Sequence, residues 1–154
     1  MGNPEPIDYR AHVEWVRSHL LDTETLVLFL VRLGGTALGF TLLKPAGRQI
    51  AEAGVMFREA SRHPLIPYTV TVMTMDCAFR HLQLDAIVSY ILPTNERALA
   101  TQRSLGGVVV ESDRPGMLKF SLEREVCLAN QNYLKVLGRV RGKLTVTGRP
   151  SVTF

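Results

Sequence analysis

Only two of the 154 residues are cysteines, Cys77 and Cys127. That scarcity excludes a disulfide-built scaffold and suits a reducing compartment, so a cytoplasmic location is expected. No apolar run approaches the roughly 20 residues that cross a bilayer; the most apolar stretch near the N-terminus covers only residues 26–31. No membrane partner is expected. The opening MGNPEPIDYR carries acids and two prolines and lacks the apolar segment of a secretory leader. Internal repeats and low-complexity tracts are absent. Acidic residues are missing after position 134, where Lys135, Arg139, Arg141, Lys143 and Arg149 are the only charges. The formal net charge is +4, and setting those five aside leaves 13 basic residues against 14 acidic ones. The basicity therefore belongs to the end of the chain, as an anion contact, a partner arm or a solvated end. It does not form a basic groove, so no nucleic-acid partner is expected.

What is present suits one globular domain. Hydrophobic residues make up 46% and charged residues 21%, and a chain of this length buries a core without staples. Residues 1–137 read as a single domain and 138–154 as a basic C-terminal tail. Residues 8–21 form an amphipathic helix that Asp8 caps, with His12, Trp15, Val16, His19 and Leu20 on one stripe. That stripe is either a packed face or the rim of a substrate pocket. Residues 26–31, 36–43 and 50–57 alternate or run apolar as strands, with Gly34-Gly35 as a tight turn. Pro45 and Gly47 are expected to end the second strand. A helix is expected from Pro67 to about Leu82, with Val70, Met73, Cys77 and His81 on one side. A strand at 86–92, a helix at 95–105 stopped by Gly106-Gly107, two short strands and a last helix at 123–137 follow. This order predicts an α/β (α+β) fold, a mixed and mostly antiparallel sheet with helices on both faces.

Residues 50–107 resemble the Gcn5-related N-acetyltransferase (GNAT) superfamily. Ala51-Glu52-Ala53-Gly54-Val55-Met56-Phe57 is similar to the family's fourth strand. The run Met75 to Asp85 is similar to its "YAF..LGL" helix end. Asn95, Ala98 and Leu105-Gly106 keep the spacing of its "V.p.N..A......LGF" segment. His12 and Trp15 resemble the "H..W" helix of ribosomal-protein alanine acetyltransferases and of amino-sugar acetyltransferases of the pseudaminic-acid type. The family's usual first strand and helix have no counterpart here. One sheet edge is then uncovered, which favours a partner such as a second copy of the chain.

The resemblance implies acetyl-CoA as co-substrate and no metal. It implies direct attack by the amine of a small molecule, such as an amino-sugar nucleotide, in a ternary complex. In the family the cofactor's pantetheine amides pair with strand four, here Val55, Met56 and Phe57. Its pyrophosphate meets the following helix N-terminus. The family's Arg/Gln-x-x-Gly-x-Gly/Ala loop is here Arg62-His63-Pro64-Leu65-Ile66-Pro67. Arg62 is kept, Leu65 and Pro67 replace the small residues, and each proline removes an N–H donor. Arg62 and His63, with the backbone of Leu65, Ile66, Tyr68 and Thr69, are the remaining anion contacts. Asn95, Ala98 and Gln102 fall on the cofactor side of the family pattern, Gln102 standing where the family often has an acidic tyrosine. Asn95 also suits a helix cap. Glu52 and Tyr90 are the candidate catalytic residues. The blander roles are an exposed strand carboxylate for Glu52 and sheet packing for Tyr90. The alternative function is a degenerate member of the fold that serves as a binding or scaffold partner.

Overall fold

The computed structural model describes residues 8–21, 26–58, 63 and 65–140. Its chain order starts with helix α1 (Tyr9–Val16), which continues as a π-helical turn over Arg17–Leu21. Asp8 caps α1 by accepting the Ala11 N–H at 3.0 Å, as its sequence position predicts. Strand β1 (Val27–Leu33) turns into β2 (Thr36–Gly47) at Gly34 and Gly35. Both glycines take positive φ, 55° and 84°, the conformation a two-residue hairpin needs. Strand β3 (Ile50–Phe57) completes the antiparallel meander. Then come α2 (Leu65–Asp76) with a π-helical turn over Cys77–His81, β4 (Ala86–Ile91), α3 (Glu96–Ser104), β5 (Val108–Val110), β6 (Leu118–Glu123), α4 (Arg124–Ala129) and α5 (Gln131–Val140).

The six strands form one sheet in the order β1-β2-β3-β4-β6-β5. Every neighbouring pair is antiparallel except β3 and β4, which run parallel. This is the mixed, mostly antiparallel sheet that the element order predicts. Among the described residues, no strand precedes Val27, and β1 and β5 are the two edges. One sheet face carries the core: Val27, Leu43, Ala51, Ile87 and Leu122 stand on it and pack with Val72, Met75, Ala78 and Phe79 of the α2 segment, Cys127 of α4 and Tyr133 of α5. Ile91 and Phe120 extend that face under Leu99 of α3. Alternation along the strands puts Glu52, Val88, Tyr90 and Lys119 on the opposite face.

Several local expectations differ from the structure. Strand β2 runs through Pro45 to Gly47: Pro45 still pairs with Ala51, and the register shifts directly after it, before Gly47. Helix α2 begins at Leu65, so Pro67 is third in the first turn, still a position whose N–H needs no helical partner. Its buried residues are Thr71, Val72, Thr74 and Met75, continuing with Ala78 and Phe79, whereas Val70, Met73 and Cys77 are half-buried and His81 is exposed. The segment is apolar on every side, so periodicity does not select which side faces the sheet. The last helix divides at Asn130, whose extended backbone closes α4 while its side-chain oxygen caps α5 through the N–H groups of Asn132 and Tyr133. Helix α5 includes Gly138, Arg139 and Val140, which the sequence places in the tail; residues 141–154 lie outside the described residues. Helix α1 buries no residue. Its His12, Trp15 and His19 rings stack on one another at centroid spacings of 6.4 and 5.3 Å.

Candidate active site

The feature that shapes the site is how briefly β3 and β4 stay together. They pair at Ile50–Ala86, Ala51–Ile87 and Glu52–Val88 and no further. Beyond Glu52 the rest of β3 follows β2, and beyond Val88 the rest of β4 follows β6. The strands therefore part, and no strand among the described residues enters the gap. A strand edge is left open along residues 53–57, inside the sheet rather than at its rim. Val55 and Met56 are exposed on that stretch and Phe57 is half-buried.

At the point of parting lies a cluster of charges. Arg114, on the connection from β5 to β6, donates to both carboxylate oxygens of Glu52, at 2.8 and 2.6 Å. The same guanidinium stands over the Tyr90 ring, 3.6 Å from its centroid. The Tyr90 hydroxyl donates to Asp113 Oδ1 at 2.6 Å, and Lys119 Nζ donates to that oxygen at 3.0 Å. Glu52 and Tyr90 thus share Arg114 as a partner, and neither side chain is idle. Arg114, Asp113 and Lys119 carry no signature in the sequence; Arg114 is 62 residues from Glu52.

The Tyr90 hydroxyl, and after it Lys119, hold the Asp113 carboxyl down at about 2. A depressed carboxyl favours the folded state above the ordinary carboxylate range near ~4 and loses that contribution as pH falls toward the folded value. Asp113→Asn is therefore expected to lower the urea midpoint at pH 7 and to converge with the unaltered chain between pH 4 and 2. A gap that persists unchanged at pH 2 would contradict this assignment.

The N-terminus of α2 follows the open strand. His63 caps it: its carbonyl accepts the Ile66 N–H at 3.0 Å, and its Nδ1 accepts the Leu65 N–H at 3.4 Å. These two expected anion donors are therefore turned inward on His63. Arg62 lies outside the described residues. Leu65 is exposed, and Tyr68 is half-buried with its hydroxyl 3.2 Å from Ser104 Oγ of α3. Alongside runs a groove of about 220 Å³ between α2 and α5, lined by Leu65, Tyr68, Thr69, Asn132, Lys135 and Arg139 among others. The two cations of α5, read from sequence as part of a tail, stand beside the helix start where donors are short.

On α3, Asn95 is the N-cap, its side-chain oxygen accepting the Ala98 N–H at 3.2 Å. Ala98 packs against Ile91, Leu99 and Phe120. Gln102 is buried and donates to Ser89 Oγ at 3.2 Å, tying α3 to β4 on the core face. Neither cysteine offers a nucleophile: burial pushes the Cys77 thiol up and the Cys127 thiol up to about 12. Among the described residues no group of three or more His, Cys, Asp or Glu is placed to hold a metal ion. No helix there is long and apolar enough to cross a membrane.

An acetyltransferase (GNAT) domain profile matches residues 1–108. The chain belongs to the GNAT acetyltransferase family. Membership makes it an N-acetyltransferase that draws on acetyl-CoA, and gives no support to an inert scaffold. Solved structures share the fold with this acetyltransferase. One is a spermidine N-acetyltransferase SpeG chimera from Vibrio cholerae and hSSAT, at 16% identity and a TM-score of 0.64 over 83% of this chain and 87% of that one. Another is the N-acetyltransferase PseH of Campylobacter jejuni in complex with acetyl coenzyme A, at 16% identity and a TM-score of 0.62 over 78% of this chain and 82% of that one. A dodecameric spermidine N-acetyltransferase from Vibrio cholerae aligns at 16% identity with a TM-score of 0.65, over 80% of this chain and 79% of that one. No curated protein sequence matches the chain.

Proposed function

We propose that this acetyltransferase acetylates the primary amine of a small molecule by direct transfer, in the gap between β3 and β4. The observation that carries the reading is the parting of those strands after three residue pairs. The open backbone of Val55, Met56 and Phe57 fits an extended amide chain, because strand addition needs free N–H and C=O groups rather than particular side chains. The phosphate end then reaches the start of α2. There Lys135 and Arg139 supply positive charge that the Leu65 and Ile66 N–H groups, turned to His63, do not. The co-substrate supplies an activated thioester.

The neutral amine nitrogen attacks the thioester carbonyl carbon. The C–S bond breaks, the thiolate leaves and takes a proton, and the new amide nitrogen gives one up. Glu52 and Tyr90 stand on the face from which an amine enters, and a proton passes to Glu52 once its oxygens are freed from Arg114. Much of the rate comes from holding the two reactants in line. An amino-sugar nucleotide is one acceptor that fits this scheme. The edge of β1, which no strand covers among the described residues and where Leu30 and Leu33 are exposed, supports a homodimer through that edge.

Thermal unfolding with acetyl-CoA tests the reading, since a ligand that binds only the native state at about 100 times its Kd stabilises by roughly 2.7 kcal/mol. A rise in midpoint is expected, and no shift at millimolar ligand would sink the reading. Asn95→Ala should lose about 1 kcal/mol of helix cap and most of its acetyl transfer while staying folded. Full activity in that variant would remove Asn95 from the site.

A further inference from the structure

Arg114 fills a setting suited to a foreign cation. A carboxylate, Glu52, grips it from one side at 2.8 and 2.6 Å. An aromatic ring, Tyr90, lies under it at 3.6 Å. A carboxylate combined with an aromatic face recognises organic cations, and the chain has put its own side chain there. The pair sits where β3 and β4 part, so an amine bound for the gap meets it. An incoming ammonium reaches Glu52 only by displacing the guanidinium. Displacement costs Arg114 its bidentate carboxylate, a charge-assisted pair made by a side chain that is 42% exposed. The cost disappears when the incoming molecule brings an anion of its own. Charge balance points the same way. Glu52 and Asp113 offset Arg114 and Lys119. An amine that also carries a carboxylate exchanges one ion pair for two and leaves the cluster neutral, and one that carries a phosphate makes the same exchange with further negative charge to spare. A polycation leaves it with uncompensated positive charge.

We propose that Glu52, Tyr90 and Arg114 together form the acceptor subsite, and that its substrate class is an amine bearing an anionic group. Glu52 takes the ammonium, Tyr90 supports it, and Arg114 swings from Glu52 to the anion. This rests on the acetyltransferase reading above and names its acceptor.

The test is release of the CoA thiol with matched acceptors: propylamine against β-alanine, glucosamine against its 6-phosphate, and spermidine as the polycation. The carboxylate and phosphate arms distinguish the two anions. In the unaltered protein the anionic member of at least one pair should exceed its plain partner about tenfold in kcat/KM. Arg114→Gln should erase that ratio by raising KM with little change in kcat, and Arg114→Lys should restore part of it. Preference for spermidine or the plain amines would overturn the proposal, as would a ratio that survives Arg114→Gln. The preference of the unaltered protein decides the matter even where Arg114→Gln fails to fold. If acetyl-CoA raises the unfolding midpoint but none of the five acceptors turns over, the acceptor class is wrong and the acetyltransferase reading stands. If acetyl-CoA gives no shift at all, both fall.

Discussion

Tyr133→Ala is expected to destabilise the chain by about 3–5 kcal/mol, the usual cost of emptying a buried aromatic site. For a chain of this size that corresponds to a fall of roughly 6–20 °C in the unfolding midpoint. Tyr133 is fully buried, in the cluster with Met75, Phe79 and Cys127. Its hydroxyl donates to Asp76 Oδ1 at 2.5 Å and accepts from Arg80 Nε at 3.3 Å, and Arg80 also pairs with Asp76 at 3.0 Å. The ring thus joins α5 to the end of α2 by packing, and the hydroxyl joins them by hydrogen bonding. Tyr133→Phe separates the two terms, keeping the ring and leaving Asp76 without one donor, for about 1–3 kcal/mol. Calorimetry on the pair should rank alanine well below phenylalanine. Equal losses would show that the ring contributes nothing beyond its hydroxyl. Because α5 also carries Lys135 and Arg139 to the groove beside α2, the alanine variant should weaken acetyl-CoA binding as well.

Gly39→Ala is the second large effect, and it falls on the candidate site. Gly39 pairs with Phe57 at the far end of the β2–β3 ladder. A Cβ there would collide with the Met56 carbonyl oxygen and stand 2.8 Å from Phe57 Cα. Both obstacles are backbone, so no rotamer relieves them and β3 must move off β2. The expected cost is about 3 kcal/mol, the upper range for overpacking. The displaced segment is the stretch proposed to pair with acetyl-CoA, so the ligand-induced rise in midpoint should shrink or vanish. Gly54→Ala is the control. Its Cβ would meet the Leu42 side chain, 3.3 Å away at Cγ, which rotates. A Gly39→Ala chain that binds acetyl-CoA as the unaltered protein does would remove the end of β3 from the site.

Much of the fold was readable from local sequence. Gly34-Gly35 marked the hairpin, since few residues tolerate two positive φ angles in a row. Asp8 and Asn95 marked helix starts by chemistry that acts within three residues. Asn130 caps α5 by the same chemistry, but the apolar pattern runs on through it and hides the break. The spacing from Asn95 to Gly106 carried the family resemblance, and with it Glu52 and Tyr90.

Alternation, caps, turns and the family pattern were determined by the sequence alone, because each rests on residues a few positions apart. The tertiary structure alone decided the rest. It set which side of the uniformly apolar α2 is buried, where β3 leaves β4, and which basic residues stand beside the start of α2. Arg114 was one charge among many until the chain folded it onto Glu52, and Lys135 and Arg139 belonged to a basic chain end, open as an anion contact, a partner arm or a solvated end, until α5 docked against α2. Pairings across 62 residues depend on how whole elements pack. No period or spacing encodes them.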